Sequence, residues 1–139
     1  MSYKIISKFI KEIDFKIPDA KTFFSLGKKI SDYNVKIDIK SLQIKETIIE
    51  INTSLSLVPI KANEEKINTK IVYAAVVEFE NNLPDKNDLE KIVLIEVPNE
   101  LYTDLRKIFV TIFESSGFKD IKIGEKVDFQ KLYDQRKIQ

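Results

Sequence analysis

The stretch Pro98–Tyr133, PNELYTDLRKIFVTIFESSGFKDIKIGEKVDFQKLY, decides how the rest of the chain has to fold. At helical spacing Leu101, Leu105, Ile108 and Ile112 fall on one row, with Tyr102, Phe109 and Phe113 on the row beside it. Together they form an apolar face wide enough to be covered on more than one side. Glu100, Asp104, Lys107 and Glu114 keep the opposite side in water. Asn99, after Pro98, is placed to cap this helix, and Gly117 stands where a left-handed residue would end it. Asp128 then caps a second, shorter helix carrying Phe129, Leu132 and Tyr133. Periodicity by itself assigns the wide face to the core of a small domain, and its width also suits an interface between copies of the chain.

Before the helix, Leu89–Val97 reads as a short helix capped by Asp88, although its Val and Ile content also suits a buried strand. Asn81–Asp88 is a polar loop. Ile67–Glu80 is a strand whose middle, IVYAAVV, is apolar on both faces, as in a strand covered on both sides. Asn63-Glu64-Glu65 supplies the turn before it. In Thr47–Val58, Ile49, Ile51, Leu55 and Leu57 alternate with Glu50, Asn52, Ser54 and Ser56. Ahead of a turn near Gln43, Val35, Ile37 and Ile39 alternate with Lys36, Asp38 and Lys40. Ala20–Asn34 shows no clear period and reads as a connection. Its Phe23, Phe24, Leu26 and Tyr33 would cover either the domain's own core or a ligand.

Tyr3–Ile17 is the first strand, with Tyr3, Ile5, Phe9, Ile13, Phe15 and Ile17 of one parity and Lys4, Lys8, Glu12, Asp14 and Lys16 of the other. Ile6 and Ile10 interrupt the polar side, so that side is not wholly solvated or a bulge shifts the register. The expected architecture is α+β: four meandering antiparallel strands, then a long helix and a shorter C-terminal helix covering one face. Residues 1–139 are enough for a single core and one domain.

The composition excludes several function classes. With 23 basic and 22 acidic residues there is no basic excess for nucleic acid. No cysteine and no histidine occur, which removes thiolate chemistry, the commonest general base and the commonest metal ligands. No glycine-rich phosphate loop or nucleophile motif is present, and Glu64, Glu65, Asp85 and Asp88 are turn carboxylates. The reading is therefore of a protein that is not an enzyme, with no catalytic residue, metal or cofactor. No segment has the length or apolarity of a membrane span, and the expected location is the cytoplasm. Arg106, on the polar edge of the long helix, is either solvated or bridges to Asp104, Asp128 or a neighbouring subunit.

Three segments line up in order with one family. FIKEIDFKIPDA at Phe9–Ala20, followed by VKIDI at Val35–Ile39, resembles the first strand of the SecB export chaperones and the strand after its crossover loop. IVYAAVVEF at Ile71–Phe79 is similar to that family's last strand. PNELYTDLRKIFVTIFESSGF at Pro98–Phe118 and VDFQKLY at Val127–Tyr133 resemble its most recognisable region, where Pro-Asn opens a long helix and Gly-Phe closes it. The resemblance implies an ATP-independent holdase assembled as a homotetramer, a dimer of dimers, which binds unfolded client proteins in apolar grooves. It implies a client groove formed by Phe23, Phe24, Leu26, Tyr33, Phe129, Leu132 and Tyr133. It also implies an oligomer interface formed by Leu101, Tyr102, Leu105, Ile108, Phe109, Ile112 and Phe113. Docking to the translocase motor SecA uses acidic side chains in the family. Here Glu12 keeps the acid, but Lys16 and Lys70 stand where acidic partners align, and the chain ends in Lys131, Arg136 and Lys137 where the family carries an acidic tail. The family's crossover-loop tryptophan is absent, with Ser31 or Tyr33 near its place. Alternatives are a SecB-like chaperone serving one client such as an antitoxin, and a carrier or scaffold holding a small apolar ligand.

Overall fold

Alternating apolar side chains commit the first half of the chain to strands, because residues two apart share a face and that face has to be covered. The computed structural model describes residues 3–29, 33–59, 68–118, 123–124 and 126–138. Strands β1 (Tyr3–Lys16), β2 (Tyr33–Lys45), β3 (Ile48–Pro59) and β4 (Asn68–Phe79) form one antiparallel sheet. Helix α1 (Ala20–Lys29) lies between β1 and β2, while α2 (Lys86–Lys91), a π turn (Ile92–Glu96), α3 (Val97–Ser115) and α4 (Phe129–Ile138) follow β4. This is the expected α+β class, with a long helix and a shorter C-terminal one over a four-stranded antiparallel sheet. The turn expected at Asn63-Glu64-Glu65, together with Ser31 and Ile67, lies outside the described residues.

The strand order is β1-β4-β3-β2, which corrects the simple meander. β2, β3 and β4 do meander, but β1 pairs with β4, so the chain crosses from one edge of the sheet to the other through α1. β4 is thereby central. Its Ile71, Ala75 and Val77 are fully buried and belong to the core. Val72 and Ala74, on the opposite side, are also buried, yet among the described residues no helix covers that side. Instead Ala74 is flanked by Phe9 of β1 and Asn52 of β3, which corrects the reading of two covered faces.

The register of β1 slips twice against β4, at Ile6 and at Lys11. Each slip turns the following residues over. Between the slips Lys8 pairs with Ala75 on the helix side and Phe9 with Ala74 on the open side, the reverse of the single-parity reading. Lys8 then reaches Asp104 of α3, Nζ to Oδ2 3.3 Å. Lys11, the extra residue of the second bulge, reaches past β4 to the Glu50 carboxylate on β3. That ammonium, with the Asn52 side-chain amide, holds the Glu50 carboxyl below the ordinary glutamate range.

Ala20–Lys29, read as an irregular connection, is helix α1. Asp19 starts it by accepting from the Thr22 backbone N–H at 2.8 Å. With ten residues, of which Thr22 and Leu26 are buried and Phe23 and Ser25 half-buried, the segment is too short to show a period. β2 runs to Lys45 rather than ending near Gln43, and a bulge between Gln43 and Lys45 hides the alternation there.

The helix layer is longer at its start than the sequence suggests. Asp85, not Asp88, caps it, accepting from the Asp88 N–H at 2.9 Å, and the chain stays helical through Pro98 to Ser115. Asn99 is thus inside a helix. Proline has no N–H to give to the carbonyl four residues back, and its ring presses on that carbonyl. The π turn just before it absorbs the conflict: the Val97 N–H bonds to Ile92 O, five residues back. At the far end Gly117 has φ +102°, its N–H bonds to Glu114 O and the Phe118 N–H to Phe113 O, each at 3.1 Å. These bonds satisfy the last carbonyls, and the Phe113 and Phe118 rings meet at 5.6 Å across the stop.

Candidate functional site

The long-helix face is already occupied. Leu101, Tyr102, Leu105, Phe109 and Phe113 are buried within one chain, packed with Leu55, Ile71 and Ala75 of the sheet. Phe15 of β1 meets Phe113 edge-on at 5.1 Å. Only Ile108 and Ile112 of the seven expected interface residues remain half-buried. The reason is geometric: positions three and four apart share one side of an α-helix, and that side of α3 lies on the sheet. Further apolar surface is left uncovered on the sheet. Ile6, Phe9, Ile10 and Ile13 are 41–48% exposed along the edge strand β1, and Ile6 and Ile10 were the residues that broke its polar pattern.

The expected groove residues divide into two groups. Leu26 and Phe129 are 2% exposed members of the core, and Phe23 and Tyr33 pack against the same cluster. The Phe23 ring meets Phe118 at 4.8 Å, tilted, and Phe24 edge-on at 5.8 Å. Phe24 itself is 67% exposed. The second group sits on α4, which Asp128 caps as expected by accepting from the Lys131 N–H at 2.9 Å. There Tyr133 is 4% exposed and its hydroxyl bonds to Glu90 Oε2 at 3.3 Å, whereas Leu132 is 42% exposed. The structure therefore brings Phe23, Leu26, Tyr33 and Phe129 into one apolar cluster, with Leu132 in a small recess and Tyr133 on the cleft that this recess adjoins.

That cleft has a volume of about 670 Å³ and is open to solvent. Ile39 and Ile49 come from the sheet, Leu89, Val93 and Leu94 from α2 and the π turn, and Tyr133 and Arg136 from α4. A smaller recess of about 190 Å³, lined by Ile37, Ile39, Leu94, Leu132 and Tyr133, adjoins it through shared residues. The cleft runs against β2, an edge strand with backbone groups on its outer side. Sequence reasoning missed Leu89, Val93 and Leu94 as lining residues, because a short helix of uncertain phase gives no direction to its side chains. Leu42 and Ile44, 60% and 47% exposed near the end of β2, were also missed.

Arg106 bridges to neither Asp104 nor Asp128: its Nε donates to Ile123 O at 3.2 Å, while the Tyr102 hydroxyl donates to Gly124 O at 2.7 Å. Both ties hold residues 123–124 on α3. On the open face of the sheet, Glu12, Lys16 and Lys70 are exposed, and Lys70 lies between Asp14 of β1 and Ser56 of β3. Among the described residues no group of acidic side chains is placed to hold a metal, and no helix is long and apolar enough to cross a membrane.

This arrangement of sheet, continuous long helix and C-terminal helix can be compared with known proteins. The profile of one family, described as preprotein translocase subunit SecB, matches residues 1–139. The chain belongs to the SecB family. It is 40% identical over 135 residues to a provisionally named protein-export protein SecB of Pelagibacter ubique (strain HTCC1062), covering 97% of this chain and 96% of that one. A protein-export protein SecB of Parvibaculum lavamentivorans is 23% identical over 133 residues, covering 96% and 77%. Among solved structures, the SecB-like chaperone of Mycobacterium tuberculosis in complex with a ChAD peptide from an antitoxin superposes with a TM-score of 0.64. That match covers 90% of this chain and 88% of the other at 10% identity, a likeness of fold. SecB proteins are protein-export chaperones and not enzymes, which agrees with a chain lacking histidine and cysteine.

Proposed function

We propose that this SecB-family chain is an ATP-independent holdase that binds unfolded preproteins and keeps them competent for export. The observation that carries the reading is the open apolar cleft between α4, the π turn and the edge strand β2. An extended client would find main-chain partners on the β2 edge and bury alternate side chains against Ile39, Leu89, Val93 and Tyr133. Leu132, in the adjoining recess, and Phe24, exposed beside Phe23, are the groove residues with most area left to bury, and they are proposed as further client contacts. An open cleft favours a chaperone over a carrier, which would enclose its ligand. No catalytic residue, metal or nucleotide is needed for binding of this kind.

The test is suppression of aggregation of a chemically unfolded protein, without nucleotide, by wild type and by a Phe24→Ser, Leu132→Ser double variant. Each truncated side chain forfeits about 1–2 kcal/mol of burial, so client affinity falls at least tenfold while the melting temperature stays within a few degrees. Undiminished protection by the double variant contradicts this placement. Tyr133 is not used for this purpose, since it is buried and its removal would test stability instead.

The proposed assembly is a homotetramer acting in the cytoplasm, with unfolded clients as partners and no nucleic acid. The surfaces that suit assembly are the β1 edge, with Ile6, Phe9, Ile10 and Ile13, and the half-buried Ile108 and Ile112. Docking to SecA is proposed to be weak and salt-sensitive, because Lys16 and Lys70 oppose the field of Glu12 and Asp14.

A further inference from the structure

The rows of buried side chains on α3 recur every four residues: Val97, Leu101, Leu105, Phe109 and Phe113. An α-helix turns about 100° per residue, so such a row drifts about 40° per step and cannot face one sheet indefinitely. Continued as an unbroken α-helix, Val93, Ile92 and Leu89 would lie about 120°, 140° and 160° from the direction of Leu105. Asn87 would lie in line with it, within about 20°. The structure has the opposite arrangement. Ile92 and Val93 are buried, Leu89 is half-buried in the cleft wall, and Asn87 is exposed.

The π turn at Ile92–Glu96 accounts for the difference. Its i to i−5 bond between Val97 and Ile92 places one extra residue in the turn, which resets the phase of everything before it by about 100°. We propose that this extra residue is the positioning element of the cleft: it rotates α2 so that Leu89 faces β2 and α4 while Asn87 faces solvent. Glu90 stays on the inner side with or without the extra residue, about 40° or 60° from the direction of Leu105, and there it accepts from the Tyr133 hydroxyl, which fastens α4 across the same cleft. Pro98 favours the turn but does not define it; the residue count does. The role of the cleft in holding clients rests on the function proposed above, whereas the setting of its wall by the π turn does not.

The chain has no cysteine, so single cysteines report each position separately. Leu89→Cys and Asn87→Cys are compared in labelling by a maleimide, with Thr103→Cys, exposed on α3 beyond the turn, as reference. The π turn predicts Cys at 87 labelling as fast as at 103 and at least fivefold faster than at 89. Slow labelling at 87 with fast labelling at 89 would be the pattern of an unbroken helix and would overturn the proposal. In a second arm Ile95 is deleted together with Pro98→Ala, which removes the extra residue and the ring that opposes a regular turn. The order of labelling at 87 and 89 is expected to reverse, while Pro98→Ala alone leaves it unchanged. A folded deletion variant that keeps the original order would overturn the proposal, and the first arm decides if the variant does not fold. Reduced, carboxymethylated α-lactalbumin, added to the Leu89→Cys protein, is expected to slow labelling further. If it binds without slowing it, the cleft is not the client site, and the register argument stands unaffected.

Discussion

Gly117 meets two demands that no other residue satisfies together. Its φ of +102° is open to glycine, and a Cβ there would stand 3.1 Å from the Phe23 ring. Gly117→Ala is expected to cost about 1–3 kcal/mol, read from urea denaturation, and an unchanged midpoint would contradict the stop as described. Tyr102 acts through its hydroxyl: the bond to Gly124 O at 2.7 Å is satisfied on a side chain whose ring is buried, and burial raises its pKa. Tyr102→Phe removes that bond at about 1 kcal/mol and loosens the segment before α4. Glu50 gives a pH dependence of determined sign. Its pKa is lowered in the folded chain, chiefly by the Lys11 hydrogen bond and then by Asn52. The stabilisation is therefore full above the ordinary value of 4.5 and is lost as pH falls through the lower folded value. Urea midpoints measured from pH 6 to pH 3 should fall less steeply for Glu50→Gln than for wild type.

At the scale of elements, the long helix was legible and its destination was not. Helical spacing identified Leu101 to Phe113, and Gly117 and Asp128 marked the right boundaries, because caps and glycine stops are local chemistry. Whether an apolar face meets the chain's own sheet or another chain depends on tertiary placement, which periodicity does not carry. A charge tests the distinction: Phe109→Lys places an ammonium in a fully buried site and should destabilise by several kcal/mol, whereas Ile112→Lys should leave the chain folded. Thermal melts of both variants decide it. Helix α1 was missed because ten residues with few inward side chains show no period, and the β1 bulges because parity reading assumes an unbroken register. Ile6 and Ile10 carried a trace of those bulges. Of the cleft's lining, Tyr133 near the end of the chain was legible as an aromatic of the last helix. The wall formed by Leu89, Val93 and Leu94 was not, since its direction depends on one extra residue in a helix.

At the scale of the molecule, the sheet separates two surfaces of different character. The helix side carries the cleft, and the open side carries charges with Phe9 among them. The β1 edge suits pairing with a second copy, and Ile13→Lys with Phe9→Lys should lower the mass seen by light scattering while circular dichroism is unchanged. For the open face, Lys16→Glu with Lys70→Glu should strengthen binding of a SecA tail at low salt, and tight wild-type binding that the change leaves alone would contradict the charge argument. The cleft is the centre of the account, and hydrogen exchange examines it most directly. The protein is followed alone and with an unfolded protein bound, without nucleotide. The account predicts added protection in β2 near Ile37–Leu42, in Leu89–Leu94 and in α4 around Leu132. Protection confined to other segments, with these three unchanged while the client is bound, would contradict it.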